Sequence, residues 1–432
     1  MLSKLFRPVD ISSTVVFRVA FGAIMLWEVC RYFYFDRIEH HFLAPFFSFK
    51  YYGFEWVRAW PGDGMYWHFY VLGALAVLIT AGLFYRLASA LFFLGFTYIF
   101  LLDQALYLNH FYLICLIALI LACIPANRAF SLDSLIRPAI RSETVPAWCV
   151  WLLRFQVGIP YFFGGIAKLN QDWLTGSPLR DWLAKRGHYP FIGDFLQTEA
   201  GAYFFSYGGL LLDLFIVPLL LWRKTRIPAF ILAVIFHLTN AWIFNIGIFP
   251  WTMIAATTIF FEPDWPRRLL RLSKPIIPDS REATRYSTVA LLTLFCLFQI
   301  LFPLRHFLYP GVVHWTEEGH RFAWHMKLRE KKTEAYFSLI YPDTREKIFI
   351  NPREFLNRRQ YSKMSGRPDM TLQFAYFLAD FFEKEGIRPE VYVDAHASLN
   401  GRPSRRLIDP EVDLASAKRN LWPAIWILPL EN

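Results

Sequence analysis

Lys168 closes an apolar run, Tyr161-Phe-Phe-Gly-Gly-Ile-Ala-Lys168, and is followed by Asn170, Asp172 and Trp173. An ammonium group beside hydrocarbon is costly unless it is paired or loses its proton. The deprotonated amine of a desolvated lysine is a usable general base. The same position also suits a cation that snorkels from a helix end to the membrane surface, and spacing alone leaves both readings open. Two imidazole–amide combinations add to the inventory. Asn109-His110 opens an apolar run, a place where a capping or interfacial residue is the ordinary role. His237 and Asn240 are three apart and share a helix face, so they either bond a neighbouring helix or line a pocket. Arg18, Glu28, Arg31, Arg154 and Asp213 also fall inside apolar runs. Such charges are expected to face the bundle and to pair.

Positioning these groups requires a bundle of apolar helices. The 432 residues are 55% hydrophobic and 19% aromatic, with 44 Phe, 21 Tyr and 16 Trp, and only 19% are charged. Apolar runs occupy 13–35, 67–85, 87–107, 109–126, 146–167, 203–222, 226–246, 248–262 and 286–308. The expected fold is a polytopic α-helical membrane protein of about nine spans, since a spanning helix needs about 20 apolar residues. The first run is too long for a signal-peptide core and lacks a small-residue cleavage site, so it reads as a retained helix. Lys4, Arg7, Arg86, Arg128, Arg137, Arg141, Arg223, Lys224, Arg226 and the basic residues between 267 and 285 fall on one side of such a bundle. Arg37, Lys50, Arg58, Arg180, Lys185 and Arg186 fall on the other. This asymmetry puts the N-terminus in the cytoplasm and the C-terminal region outside it. It also accounts for much of the +10 net charge without a nucleic-acid partner.

Cys30, Cys115, Cys123, Cys149 and Cys296 all sit in apolar runs, where cysteine behaves as a small hydrophobe. Neither a CxxC motif nor metal-type Cys/His spacing is present, so no metal is expected. The absence of an Asn-x-Ser/Thr acceptor favours a bacterial inner membrane over the endoplasmic reticulum. No internal repeat of the kind that transporters carry is visible.

From about residue 309 the pattern changes. Glu334–Tyr341 and Glu346–Ile350 read as strands joined by a turn at Pro342-Asp343, Leu372–Glu385 as a helix, and Glu390–Ala397 as a further strand. Two domains are expected: a helical catalytic domain, 1–308, and an extracytoplasmic β-rich domain, 309–432, of α+β or β-sandwich type.

Five segments resemble, in the same order, the vitamin K-dependent γ-glutamyl carboxylases. They are Leu101-Leu-Asp-Gln…Asn109-His110-Phe-Tyr-Leu, Tyr161…Lys168-Leu-x-x-Asp172-Trp173, Gly209-Leu-Leu-Leu-Asp213-Leu, Phe236-His237-x-x-Asn240…Phe244-x-Ile-Gly247-x-Phe249 and Pro263-Asp-Trp265-Pro266-Arg267. The likeness continues through Trp324-x-Met326, Asn351-Pro352, Tyr392-x-Asp394 and Ile408-Asp409-Pro410-x-Val412-Asp413. It implies a membrane lyase that couples oxidation of reduced vitamin K, a naphthoquinol, to carboxylation of glutamate, with dioxygen and carbon dioxide as co-substrates. Oxygenation of the quinol would yield a base strong enough to take a γ-proton. Carbon dioxide would trap the carbanion as γ-carboxyglutamate, and the quinone epoxide would be the second product.

On this resemblance Lys168 starts the reaction as the base and His110 assists. Asn109, Tyr161, His237, Asn240, Trp324 and Met326 bind substrate. The partners implied are membrane lipid, the quinol and a glutamate-containing peptide or protein. Animal members continue well beyond the counterpart of Trp426–Pro429, so a reduced apparatus for engaging a propeptide is expected here. His325 stands where an acidic or different residue is expected. Two alternatives remain: quinol epoxidation without protein carboxylation, and a non-catalytic transporter or lipid-binding protein.

Overall fold

A computed structural model describes residues 2–244, 246–273, 275–276 and 285–430. The apolar runs all form helices, because in a lipid setting a helix is the local way to satisfy every backbone N–H and C=O. They are α1 (Ser12–Tyr34), α2 (Gly64–Ala81), α3 (Tyr85–Leu101), α4 (Asn109–Cys123), α5 (Ala147–Ala167), α6 (Glu199–Leu221), α7 (Arg226–Phe244), α8 (Phe249–Thr257) and α9 (Tyr286–Leu304). Six of these, α1, α2, α5, α6, α7 and α9, are long and apolar enough to cross a membrane, whereas α3, α4 and α8 are shorter. The outer helices expose apolar faces, as Leu291, Leu294 and Leu301 of α9 do.

Two short strands, β1 (Pro8–Asp10) and β2 (Thr144–Pro146), pair antiparallel and tie the entry of α1 to that of α5. Chain direction then places the start of α5 at one end of the bundle and its end, with Lys168, at the other. Among the charges inside α1 and α5, Glu28 and Arg31 pair as expected, whereas Arg18 and Arg154 are satisfied by backbone carbonyls. Glu28 pairs with Arg31 at 2.5 Å. Arg18 donates to the carbonyls of Ala126 and Phe130, and Arg154 to those of Ile259 and Phe261.

The approach of α5 to α6 depends on glycine. A Cβ on Gly165 would lie 2.7 Å from the Leu214 side chain and 3.0 Å from its backbone nitrogen. Small residues at such crossings let the backbones come close. Asp213 is thereby brought opposite the last turn of α5.

The C-terminal region folds around one antiparallel sheet, order β4-β3-β5-β6, built from β3 (Lys331–Ile340), β4 (Lys347–Ile350), β5 (Glu390–Leu399) and β6 (Arg405–Arg406). β3 and β5 pair along their whole length, from Lys331 opposite Leu399 to Ile340 opposite Glu390. Alternate residues Ala335, Phe337 and Leu339, with Val391, Val393 and Ala395, are buried. Leu372, Phe374, Ala375 and Leu378 of helix α11 (Pro368–Phe381) join the same core, beside α10 (Arg358–Met364). Of the two expected types, α+β and β-sandwich, the region is therefore α+β. The apolar stripe of α11 covers the sheet face that a second sheet would otherwise bury.

Loops of the helical part are built into this core. Phe49 and Ala105 belong to it. Asp103 accepts hydrogen bonds from Gln360 Nε2 and from Phe49 N, and Lys50 N donates to Gln373. On the other flank Arg402 and Asn400 donate to Asp172 at 2.6–2.8 Å.

Candidate active site

Lys168 follows the last turn of α5 and folds back along it. Its Nζ lies 2.5 Å from Asp213 Oδ2, donates to the Gly164 carbonyl at 3.1 Å, and stands 5.3 Å from the centre of the Trp173 ring. At 6% exposure it does not snorkel to a surface. Of the two ways to bury an ammonium group, pairing is the one this structure uses. Trp173 is itself held in place, since its indole donates to Ser206 O at 2.9 Å while the Ser206 hydroxyl donates to Trp173 O. Asn170 caps the short helix that carries Trp173.

Lys168 and Asp213 border a cavity of about 270 Å3 enclosed by α5, α6, α7 and α8. Its walls are aromatic, with Phe204, Phe205, Phe236, Phe244, Phe249 and Trp182 among them. Tyr161, His237 and Asn240 line the same cavity. Tyr161 Oη lies 2.6 Å from His237 Nε2 and 3.2 Å from Thr257 Oγ1, whereas His237 Nδ1 is buried with no partner. A buried nitrogen of this kind is normally satisfied. Here it marks the wall of a ligand-sized space.

His110 and Asn109 border a different cavity from the one that Lys168 and His237 line. Phe249 accounts for the separation. Its ring centre is 5.6 Å from that of His110 and 5.9 Å from that of His237. Asn109 Nδ2 donates to His325 O at 3.0 Å and so points toward the C-terminal region. The second cavity, about 550 Å3, shares Trp182, Ile246, Phe249, Met326 and Lys327 with the first. Met326 thus contributes to both. Trp324 lines neither. It is buried against Tyr112, and its substrate-binding assignment finds no support in this geometry.

The second cavity is cationic. Lys327, Arg329, Lys331, Lys363 and Arg367 line it with His320, His325 and two acids, Glu317 and Glu330. Arg329 grips both oxygens of Glu317 with one guanidinium edge, through Nε at 2.6 Å and through Nη2. Burial alone would raise the Glu317 pKa. Arg329, His320, Lys331 and Arg367 outweigh it and hold this carboxyl well below the usual carboxylate range. Burial pushes the Lys331 ammonium down to about 7. Lys363 is also brought to about 7, chiefly by Arg367 and then by burial. Burial pushes the unexpected His325 down to about 2, favouring its neutral ring, which meets His306 edge-on and lies tilted against His314.

Sequence reasoning assigned Asp213 to structural pairing without a partner and passed over Phe249 and the cations of the second cavity. Asp213 and Phe249 both stand in the matched segments. Arg329, Lys331, Lys363 and Arg367 occupy an ordinary-looking polar stretch, where only the folded arrangement shows their convergence.

Two family models match the chain: the HTTM domain over residues 6–265 and the vitamin K-dependent gamma-carboxylase lumenal domain over residues 284–432. No solved structure matches it. The helical part with its Lys168 cavity falls in the first match and the sheet with its cationic cavity in the second, so the chain belongs to the vitamin K-dependent γ-carboxylase family.

Proposed function

We propose that this protein is an integral membrane enzyme that oxidises reduced vitamin K to its epoxide with dioxygen and carboxylates glutamate with carbon dioxide. The observation that carries the proposal is the pairing of two unlike cavities across one wall. One is aromatic, with Lys168, Asp213 and His237, and the other is cationic, with His110 and Asn109.

The aromatic cavity suits a naphthoquinol by its ring-lined walls and by the unpartnered His237 Nδ1. Its volume, about 270 Å3, lies just below the usual range of small-molecule sites, roughly 300–1,000 Å3. When bound, the reduced vitamin supplies, with dioxygen, the strong base that opens the γ-carbon of glutamate to carbon dioxide. Lys168 Nζ accepts the quinol hydroxyl proton once the proton it shares with Asp213 has passed to that carboxylate. Asp213, at 2.5 Å, aims that nitrogen and exchanges a proton with it. His237, oriented by Tyr161, offers Nδ1 to the second oxygen of the head group. Phe249 and Met326 keep the two compartments apart and exclude water, which would quench a carbanion.

The cationic cavity suits a glutamate carboxylate, with Lys363 and Arg367 as the groups that hold it and His110 and Asn109 at the wall facing the quinol side. This favours a carboxylated acceptor over epoxidation alone. The reading extends to a nine-span arrangement with the N-terminus cytoplasmic and to domains 1–308 and 309–432, the second extracytoplasmic and, by preference, periplasmic. A C-terminal reporter that is active only in the cytoplasm should stay silent.

The deciding experiment incubates purified protein with reduced vitamin K, oxygen, labelled carbon dioxide and a glutamyl peptide. Epoxide and labelled γ-carboxyglutamate are expected together. Epoxide with an unlabelled peptide under saturating conditions would overturn the carboxylation half, and absence of both products would overturn the whole.

A further inference from the structure

The end of the bundle opposite Lys168 carries a second concentration of arginine. A cavity of about 780 Å3 opens beside the start of α3 and the turn that follows α4, and Arg86, Arg128, Arg137 and Arg141 line it. Charge asymmetry across a membrane places cations on this face in any case. It predicts scattered, separately hydrated side chains, not four that share one hollow. An adjoining cavity of about 300 Å3 shares Arg86 and Arg128 and adds Arg285.

The floor of the hollow is built. Arg18 holds the turn after α4 through the carbonyls of Ala126 and Phe130, at 3.0 and 2.7 Å. Asp133 N donates to Gly82 O at 3.0 Å. The carboxylate of Asp133 is the acid among the lining residues, yet it is committed elsewhere. Its Oδ1 accepts from Phe84 N at 2.8 Å, and its Oδ2 accepts from Tyr85 N at 3.0 Å and Asn127 Nδ2 at 2.7 Å. Among the described residues no carboxylate lies within ion-pair distance of the four guanidinium groups lining the larger cavity. Phe84 and Leu87, on the same lining, are 55% and 61% exposed.

We infer that this cavity binds the phosphate of an anionic phospholipid, with the arginines on the headgroup and with Phe84 and Leu87 against the acyl chains. Guanidinium groups bond phosphate oxygens in pairs. Basic pockets at the membrane surface are a recurrent setting for acidic headgroups. A soluble phosphate would use the arginines but would leave the apolar edge wet. The inference is independent of the proposed reaction, since Lys168 and both cavities of the candidate active site lie at the other end of α5.

Native mass spectrometry of the full-length protein in detergent tests it, with phosphatidylglycerol, phosphatidylcholine and glycerol 3-phosphate as probes. Phosphatidylglycerol should bind at least tenfold more tightly than phosphatidylcholine, and glycerol 3-phosphate should compete at least a hundredfold more weakly. Substituting Arg86, Arg128, Arg137 and Arg141 by Gln should abolish the preference. A charge-matched control, with Arg223, Lys224, Arg268 and Arg271 changed to Gln on the same face, should retain it. Should the fourfold variant fail to purify as a monodisperse species, Arg86→Gln with Arg137→Gln, both at exposed positions, should still reduce the preference at least threefold. Equal loss in the control, or equal binding of the two lipids, would overturn the site. Competition by glycerol 3-phosphate as strong as that of the lipid would overturn the lipid assignment.

Discussion

The two cavities that meet at Phe249 are opposites in composition. The membrane-side one is walled by aromatic rings and holds a single close pair of opposite charges, Lys168 and Asp213. The one against the C-terminal region is ringed by cations whose resident acid, Glu317, is already gripped by Arg329. A nonpolar compartment keeps a proton-transfer pair away from water, whereas a compartment with cations in excess attracts an anionic substrate. On the proposed reaction, their contact through Phe249 and Met326 would let chemistry started in one be used in the other without a shared solvent.

The largest effect is expected at the base. General acid–base groups contribute roughly 10²–10⁴-fold, so Lys168→Ala should eliminate epoxide formation within that range. Lys168→Arg should fail too, because guanidinium stays charged. Asp213 makes the alanine variant less benign than loss of packing alone, since breaking a buried pair costs about 3–5 kcal/mol. Changing Lys168 to Met together with Asp213 to Leu removes both charges and should restore folding but no turnover. Epoxide yield per monodisperse protein is the readout, and wild-type-like yield from Lys168→Ala would remove the base from the mechanism.

On the cationic side, Lys363→Met should raise the KM for a glutamyl peptide about tenfold, the worth of one charge-assisted hydrogen bond. The KM for the quinol should stay within about twofold of wild type if the compartments are separate. Lys363→Arg should recover most of the peptide affinity. Equal shifts in both KM values would mean that the division between the cavities does not hold in function.

Phe249→Ala addresses the wall. Opening it should let water reach both sides and raise the ratio of epoxide formed to glutamate carboxylated by about two- to fivefold, at the modest stability cost of a partly buried ring. An unchanged ratio would show that Phe249 does not insulate the two steps.

The smallest effect concerns pH. The folded Glu317 pKa lies below its unfolded value of about 4.3. Its stabilising contribution is therefore complete above that value and is lost as the pH falls through it toward the folded pKa. Between pH 5 and pH 3 the melting temperature should fall by a few degrees more in wild type than in Glu317→Gln. Parallel slopes would show that the Arg329 pairing adds no such linkage.

The sequence was most legible where structure is local. Runs such as 203–222 became α6 because an apolar segment in a membrane has few alternatives to a helix, and the alternation in 390–397 became β5 by the same period-two rule. Domain packing was less legible. A half-buried strand looks the same whether a sheet or a helix covers it, so the sandwich alternative stood until α11 was seen on the sheet. At the candidate site Lys168, Tyr161, His237 and Asn240 were named from the sequence and line one cavity. The partner of Lys168 was not, because pairing residues on different helices leaves no periodic trace.

By itself, then, the sequence determined the apolar helices, the change to a strand-bearing C-terminal region and the family, since each depends on short-range pattern or on ordered motifs. Tertiary structure alone decided that Lys168 meets Asp213, that Phe249 stands between His110 and His237, and that five cations converge beside them. These outcomes depend on how closely backbones approach, as at Gly165, and on which faces of distant segments meet. Neither is a property of any one stretch of chain.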